Sequence, residues 1–192
     1  GRQMAFLVRD RAAPNHAIVG IGALGSAIVQ LSDRDEWIGW TTQQFIARLQ
    51  EECSTRWAQW LQDAVNDLVR DIYVADFVNE GVVTRWQIAN PNEDVIARLR
   101  TTSDKAKALH RLYPQMQLHK SLQQNTKPRW RARAQTHLFR AKRAETLADL
   151  LEVRLALRRA GFAAATKECL SAVLGSASGR RAIGSVLRRV KA

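Results

Sequence analysis

Near the N-terminus apolar residues come in short runs, whereas over most of the remaining chain they recur about every 3.6 positions. Residues 4–9 (MAFLVR) are a short apolar run, and residues 10–15 (DRAAPN) read as a turn. Residues 16–31 then alternate β-branched with small side chains around GALGS at 22–26, where a turn or bulge would fall. Two or three antiparallel strands are predicted here. From Thr41 or Thr42 a helix is predicted to about Arg70, because Phe45, Leu49, Cys53, Trp57, Trp60, Leu61, Val65 and Leu68 keep the helical period. Residues 72–78 extend that helix or form a short strand, and Glu80-Gly81 breaks it.

Asn90-Pro91 followed by Asn92, Glu93 and Asp94 marks a second start: a cap, an early proline, and acids at the positive end of the dipole. This helix is predicted to reach Leu112, with Val95, Ile96, Leu99, Leu109 and Leu112 buried and Pro114 ending it. Residues 116–127 are a polar, Gln-rich connector. Residues 128–160 lack Gly and Pro after Pro128 and predict a long helix closed by Gly161. Trp130, Ala134, Leu138, Ala141, Ala148, Leu151 and Leu155 share its packing side. A further helix over 163–174, a flexible turn at 175–179 (GSASG), and a last helix over 180–190 complete the pattern. Ile183, Val186, Leu187 and Val190 form the apolar face of that last helix. The expected fold is α+β and mostly helical. It has a small antiparallel β element within 1–42, a near-neutral helical segment over 43–116, and a basic helical segment over 117–192.

Composition sharpens this picture chiefly through charge. Hydrophobic residues make up 46% of 192, enough for a real core and too many for a disordered chain. The net charge of +12 is unevenly placed: residues 117–192 hold 17 Lys/Arg against 4 Asp/Glu, and residues 1–116 hold 13 against 14. Such a surplus of cations points to an acidic polymer. Lys127, Arg129, Arg131, Arg133, Arg140, Lys142 and Arg143 are the expected phosphate contacts, with arginine suited to bidentate binding. Arg129, Arg133, Arg140 and Arg143 fall in one sector roughly 80° wide on the helix. Trp130 sits on the packing side, so core rather than base stacking is expected of it. No zinc-finger or RNA-recognition signature is present, so phosphate binding is expected without sequence readout, with DNA favoured over RNA.

Other chemistry is weakly signalled. Asp33, Asp35 and Glu36 lie close enough to hold Mg²⁺ or to act as acid and base. The plainer reading has them capping a turn while Trp37 and Trp40 anchor sheet to helix; Asp71 and Asp76 would have to complete a metal site from elsewhere. The four histidines and two cysteines fit no ligand spacing, so neither a metal nor a cofactor is expected. GIGALG at 20–25 matches a dinucleotide fingerprint in form only, since strand-like residues rather than a helix follow it. No apolar run reaches the roughly 18 residues of a membrane span, and signal-peptide anatomy is absent. A cytoplasmic protein without a membrane partner is the expectation.

Residues 4–31 followed by RDEWIGW at 34–40 resemble the DruA-like family, the domain named after a component of the Druantia anti-phage defence system. Arg34, Asp35, Trp37, Gly39 and Trp40 carry the match. DIYVADF at 71–77 and residues 133–154, including FRAKRAETLADLLEVR, are similar to segments of one branch of it. The resemblance implies a role in phage defence or mobile-element biology, with other defence subunits as partners. It also implies that this chain is an N-terminal fragment of the family domain. Two further classes stay open. One is an enzyme, acetyltransferase-like or a metal-dependent nuclease; the other is a scaffold whose basic surface docks on an acidic subunit.

Overall fold

The computed structural model describes residues 3–13, 15–25, 36–39, 41–113 and 136–190. The chain divides into two compact units, Gly1–Thr41 and Thr42–Ala192. It is α+β and dominated by helix, with one two-stranded antiparallel sheet at the N-terminus.

In the first unit, strand β1 (Gln3–Arg9) pairs with β2 (Ile18–Gly25), placing Met4 opposite Leu24, Phe6 opposite Gly22 and Val8 opposite Gly20. The reversal falls within 10–17, where Asp10 Oδ1 accepts from the Ala12 N–H at 2.8 Å and the Asp10 N–H donates to the Ala17 carbonyl. The glycines expected to make a turn instead lie inside β2. Gly22 leaves space that the Phe6 ring fills from across the ladder, since a Cβ there would meet Phe6 Cζ at 2.4 Å. The third strand expected near 27–31 lies outside the described residues. Met4, Leu7, Ile18, Val19, Ile21 and Leu24 are exposed.

The second unit opens with α1 (Thr42–Glu51) and α2 (Thr55–Arg70). The single helix expected over this stretch is therefore interrupted. Ser54 is extended and its Oγ accepts from the Trp57 N–H, capping α2. Residues 72–78 form no strand: α3 (Ala75–Asn79) lies here. A short helix α4 (Arg85–Ala89), which periodicity did not reveal, is held by a capping box between Thr84 and Gln87. Helix α5 (Glu93–Leu112) is capped by Asn92, whose Oδ1 accepts from the Val95 N–H at 3.0 Å, rather than by Asn90. Its buried side runs through Val95, Ile96, Leu99, Ser103 and Ala106, leaving Leu109 and Leu112 exposed.

Helix α6 (His137–Arg159) begins later than the helix expected over 128–160, because Thr136, at its N-cap, is extended with ψ 150° and breaks the helical period between Arg133 and Arg140. It ends in a Schellman motif. Gly161 has φ +99°, its N–H donates to Arg158, and the Phe162 N–H donates to Leu157. Thr166 caps α7 (Lys167–Gly175), and Ser176 alone separates α7 from α8 (Ala177–Val190). The five-residue turn expected at 175–179 is thus mostly helix. Val190, expected on the apolar face of α8, is exposed, whereas Ile183, Val186 and Leu187 are buried.

Two apolar clusters share α6. Its middle, Ala144 to Leu151, packs with Phe77, Val83, Val95 and Leu99; its end, Val153 and Leu157, packs with Leu49, Leu61, Leu170, Val173 and Ile183. Phe45, Trp57 and Trp60 pack beside the second cluster with ring centroids 5.5–6.0 Å apart, Trp57 edge-on to both of the others and Phe45 tilted against Trp60. Each fully buried leucine contributes about 1.5–3 kcal/mol. Helices drawn from 43–116 and from 117–192 therefore build common cores, with α6 as the shared spine.

Candidate nucleic-acid interface

The apolar side of α6 faces both cores, which leaves a separate strip for its arginines. Arg140, Arg143, Arg154 and Arg158 lie on one side of the helix, since the step from 143 to 154 is eleven residues, close to three turns. The residues from Tyr73 to Asn90 lie against this strip, and what they offer differs from end to end.

At the N-terminal end the arginines meet carboxylates. Arg143 donates Nη1–H and Nη2–H to the two oxygens of Asp76 at 2.8 and 2.7 Å, and also donates to the Tyr73 carbonyl. Arg140 forms a forked pair with Glu80 and approaches Asp76 at 3.6 Å. Both guanidiniums lie over the Phe77 ring, at 5.3 Å for Arg140 and 4.8 Å for Arg143. Their side chains are 20% and 12% exposed, and that of Asp76 is 5% exposed. Burial opposes ionisation of Asp76. The Arg143 hydrogen bonds and charge, the Phe77 N–H and the Arg140 charge outweigh it and hold the carboxyl below its ordinary range. Glu80 is likewise held low, first by its hydrogen bond from Arg140. In the fold these two arginines brace α3 against α6.

At the C-terminal end the partners are neutral. Arg154 donates Nη1–H to the Ile88 carbonyl and Nη2–H to Asn66 Oδ1, both at 2.8 Å. Arg158 donates Nη2–H to Asn90 Oδ1 at 2.7 Å. Burial, and then the charge of Arg158, draw the Arg154 pKa below its usual value. Arg159, one residue along, turns away to Glu93 at 2.9 Å.

Of the remaining residues picked out by sequence, Lys142 is exposed on α6, its Nζ 5.9 Å from the Phe139 ring centroid. Lys127, Arg129, Arg131 and Arg133, with Trp130, lie outside the described residues, as do Arg34, Asp35 and Trp40. Trp37 is exposed, and Gly39 has φ +74° where its N–H closes a turn on the Glu36 carbonyl, so the glycine of the WIG string answers a backbone need. Of the acids weighed for a metal site, Asp33 and Asp35 lie outside the described residues, and Asp76 is committed to arginine. Among the described residues no three His, Cys, Asp or Glu gather as metal ligands, and no helix is long and apolar enough to cross a membrane.

Arg154 and Arg158 were not among the candidates. The signal was present, because extending the arginine sector by three turns reaches both. No protein-family model, curated protein or solved structure matches the chain.

Proposed function

We propose that the protein binds nucleic acid, DNA in preference to RNA, through phosphate contacts of its basic C-terminal residues. The observation that carries this reading is the surplus of cations and the fate of the nearby acids. Three of the four carboxylates in 117–192 are already engaged: Glu145 with Lys107, Asp149 with Arg100 and Arg189, and Glu152 with Arg100. Lys142, Arg154, Arg158, Arg180, Arg181 and Arg188 have no carboxylate in salt-bridge contact among the described residues. A strand of phosphates would neutralise such a field and release counterions. The polymer contacts are assigned to Lys127, Arg129, Arg131, Arg133 and Lys142, leaving Arg140 and Arg143 as braces. A place among the subunits of an anti-phage defence assembly rests on the resemblance alone, carried by residues 4–31 with 34–40, by 71–77 and by 133–154.

Fluorescence anisotropy with labelled DNA and RNA, titrated over salt, tests the reading. Binding is expected with log K falling against log[salt] at a slope of about −4 to −6. Changing Arg129, Arg131 and Arg133 together to Gln should make that slope shallower by about 2–3, equally for every sequence. An unchanged slope in the triple variant would remove these arginines from the interface. Absence of binding at low salt would turn the basic surface toward an acidic protein.

A further inference from the structure

We infer that the cleft between Arg154 and Arg158 seats a phosphate monoester carried on a ring-bearing group, the chemistry of a 5′-mononucleotide. The cleft has a volume of about 190 Å³ and is lined by Gln62 and Asn66 of α2, by Arg154, Leu157 and Arg158 of α6, and by Phe162. It stands apart from the polymer contacts proposed above. Lys142 and Arg158 are 16 residues apart on α6, about 24 Å along its axis at 1.5 Å per residue.

The arginines are held ready rather than consumed. A guanidinium carries five N–H groups. Arg154 uses one toward Ile88 and one toward Asn66, and Arg158 uses one toward Asn90. These bonds orient the two groups while leaving most of their donors for a ligand. Arg140, Arg143 and Arg159 on the same helix each meet a carboxylate, whereas Arg154 and Arg158 meet none among the described residues. Two like charges four residues apart on a helix repel each other, and burial of Arg154 sharpens the cost. A dianionic phosphate held by both would relieve that repulsion and suits the forked geometry of arginine.

The remaining walls define what the phosphate is attached to. Val65, Leu157 and Phe162 give an apolar surface, with Phe162 placed there by the Schellman turn that ends α6. The volume exceeds the roughly 150 Å³ cavity that holds a benzene ring. With Oδ1 of Asn66 taken by Arg154, its amide N–H groups and Gln62 remain to meet polar atoms at a ring edge.

Calorimetric titration of the whole chain with adenosine 5′-monophosphate, adenosine and inorganic phosphate tests the site. The nucleotide should bind, adenosine should not, and phosphate should compete with the nucleotide. Arg158→Ala should weaken nucleotide binding by about tenfold or more without lowering the melting temperature, because its one hydrogen bond is at the surface and its loss relieves the repulsion of Arg154. Arg158→Lys, which keeps the charge and loses the fork, should fall between. Oligonucleotides with and without a 5′-phosphate separate the two sources of the group. Preference for the phosphorylated end assigns the site to strand termini, and equal affinity beside nucleotide binding assigns it to free nucleotides. The Arg129, Arg131 and Arg133 triple variant should retain nucleotide binding, so loss of the polymer reading leaves this one standing. No binding of the nucleotide, or undiminished binding by Arg158→Ala, would overturn it.

Discussion

Asp76→Asn should lower unfolding stability by about 3–5 kcal/mol at neutral pH, because it removes the carboxylate from a largely buried cation. The native carboxylate takes two hydrogen bonds from Arg143 and lies within 3.6 Å of Arg140. An asparagine fits the space but offers one oxygen and no charge, and its amide N–H groups face a guanidinium that can only donate. Arg143 bears the loss, since Arg140 keeps its fork with Glu80. Glu80→Gln is the matched control. That side chain is 50% exposed, and its loss should cost about 1 kcal/mol or less. Urea unfolding of the three proteins measures both changes. Equal losses, or an Asp76→Asn protein as stable as the parent, would dissolve the bracing role.

The same pair sets an acid limit. Asp76 and Glu80 both titrate below their ordinary values in the folded state. Each contributes stability that is fully present above the unfolded carboxyl pKa near 4, and that is lost as pH falls through the folded value. The urea midpoint of the parent should therefore drop steeply below about pH 4. In Asp76→Asn the drop should be shallower, because one of the two linked protons is no longer taken up.

The helical plan could be read from the sequence because long stretches bury one stripe each. Leu49, Leu61, Val65, Val95, Leu99, Leu151 and Ile183 all occupy the sides that their period assigns. What stayed hidden depends on contacts between segments distant in the chain. The break at Ser54 keeps the helical period on both sides, so the apolar spacing alone does not mark it. Leu109 and Leu112 are exposed although their period puts them on the buried side, and Ser103 is buried with its hydroxyl donating to the Ala141 carbonyl at 3.0 Å. Gly22 could not be told from a turn glycine without knowing that Phe6 lies across from it.

The candidate site shows the same division. A wheel places Arg140, Arg143, Arg154 and Arg158 on one strip, but it cannot say that Asp76 and Glu80 await the first two and only amides and a carbonyl the last two. That distinction divides one basic stripe into a half paired with carboxylates and a half met by neutral groups among the described residues. It depends on how residues 73–90 fold, and the decisive elements there are two five-residue helices. Helices that short owe their form to caps and neighbours rather than to periodicity.

Gly179→Ala should destabilise the protein by about 2–4 kcal/mol, whereas Gly175→Ala, four residues earlier, should leave stability unchanged or raise it by up to about 1 kcal/mol. The contrast follows from a one-residue link. Ser176 alone joins α7 to α8, so the first turn of α8 presses on the last turn of α7. The Ser176 Oγ accepts from the Gly179 N–H at 2.9 Å, and Arg180 reaches back to the Leu174 carbonyl at 2.7 Å. A Cβ on residue 179 would stand 2.3 Å from the Val173 carbonyl oxygen and 2.7 Å from both Ser176 Oγ and Val173 Cγ1. The carbonyl is backbone at a helix end and cannot swing aside as a side chain would. Relief requires opening the elbow, which gives up the serine cap and loosens Val173 and Leu174 from the core. Around Gly175 nothing lies within 4 Å of the added carbon, and alanine there reduces only the freedom of the unfolded chain. Thermal unfolding should therefore come at a lower temperature for Gly179→Ala and at an unchanged or higher one for Gly175→Ala. Equal shifts would mean that the elbow opens without cost.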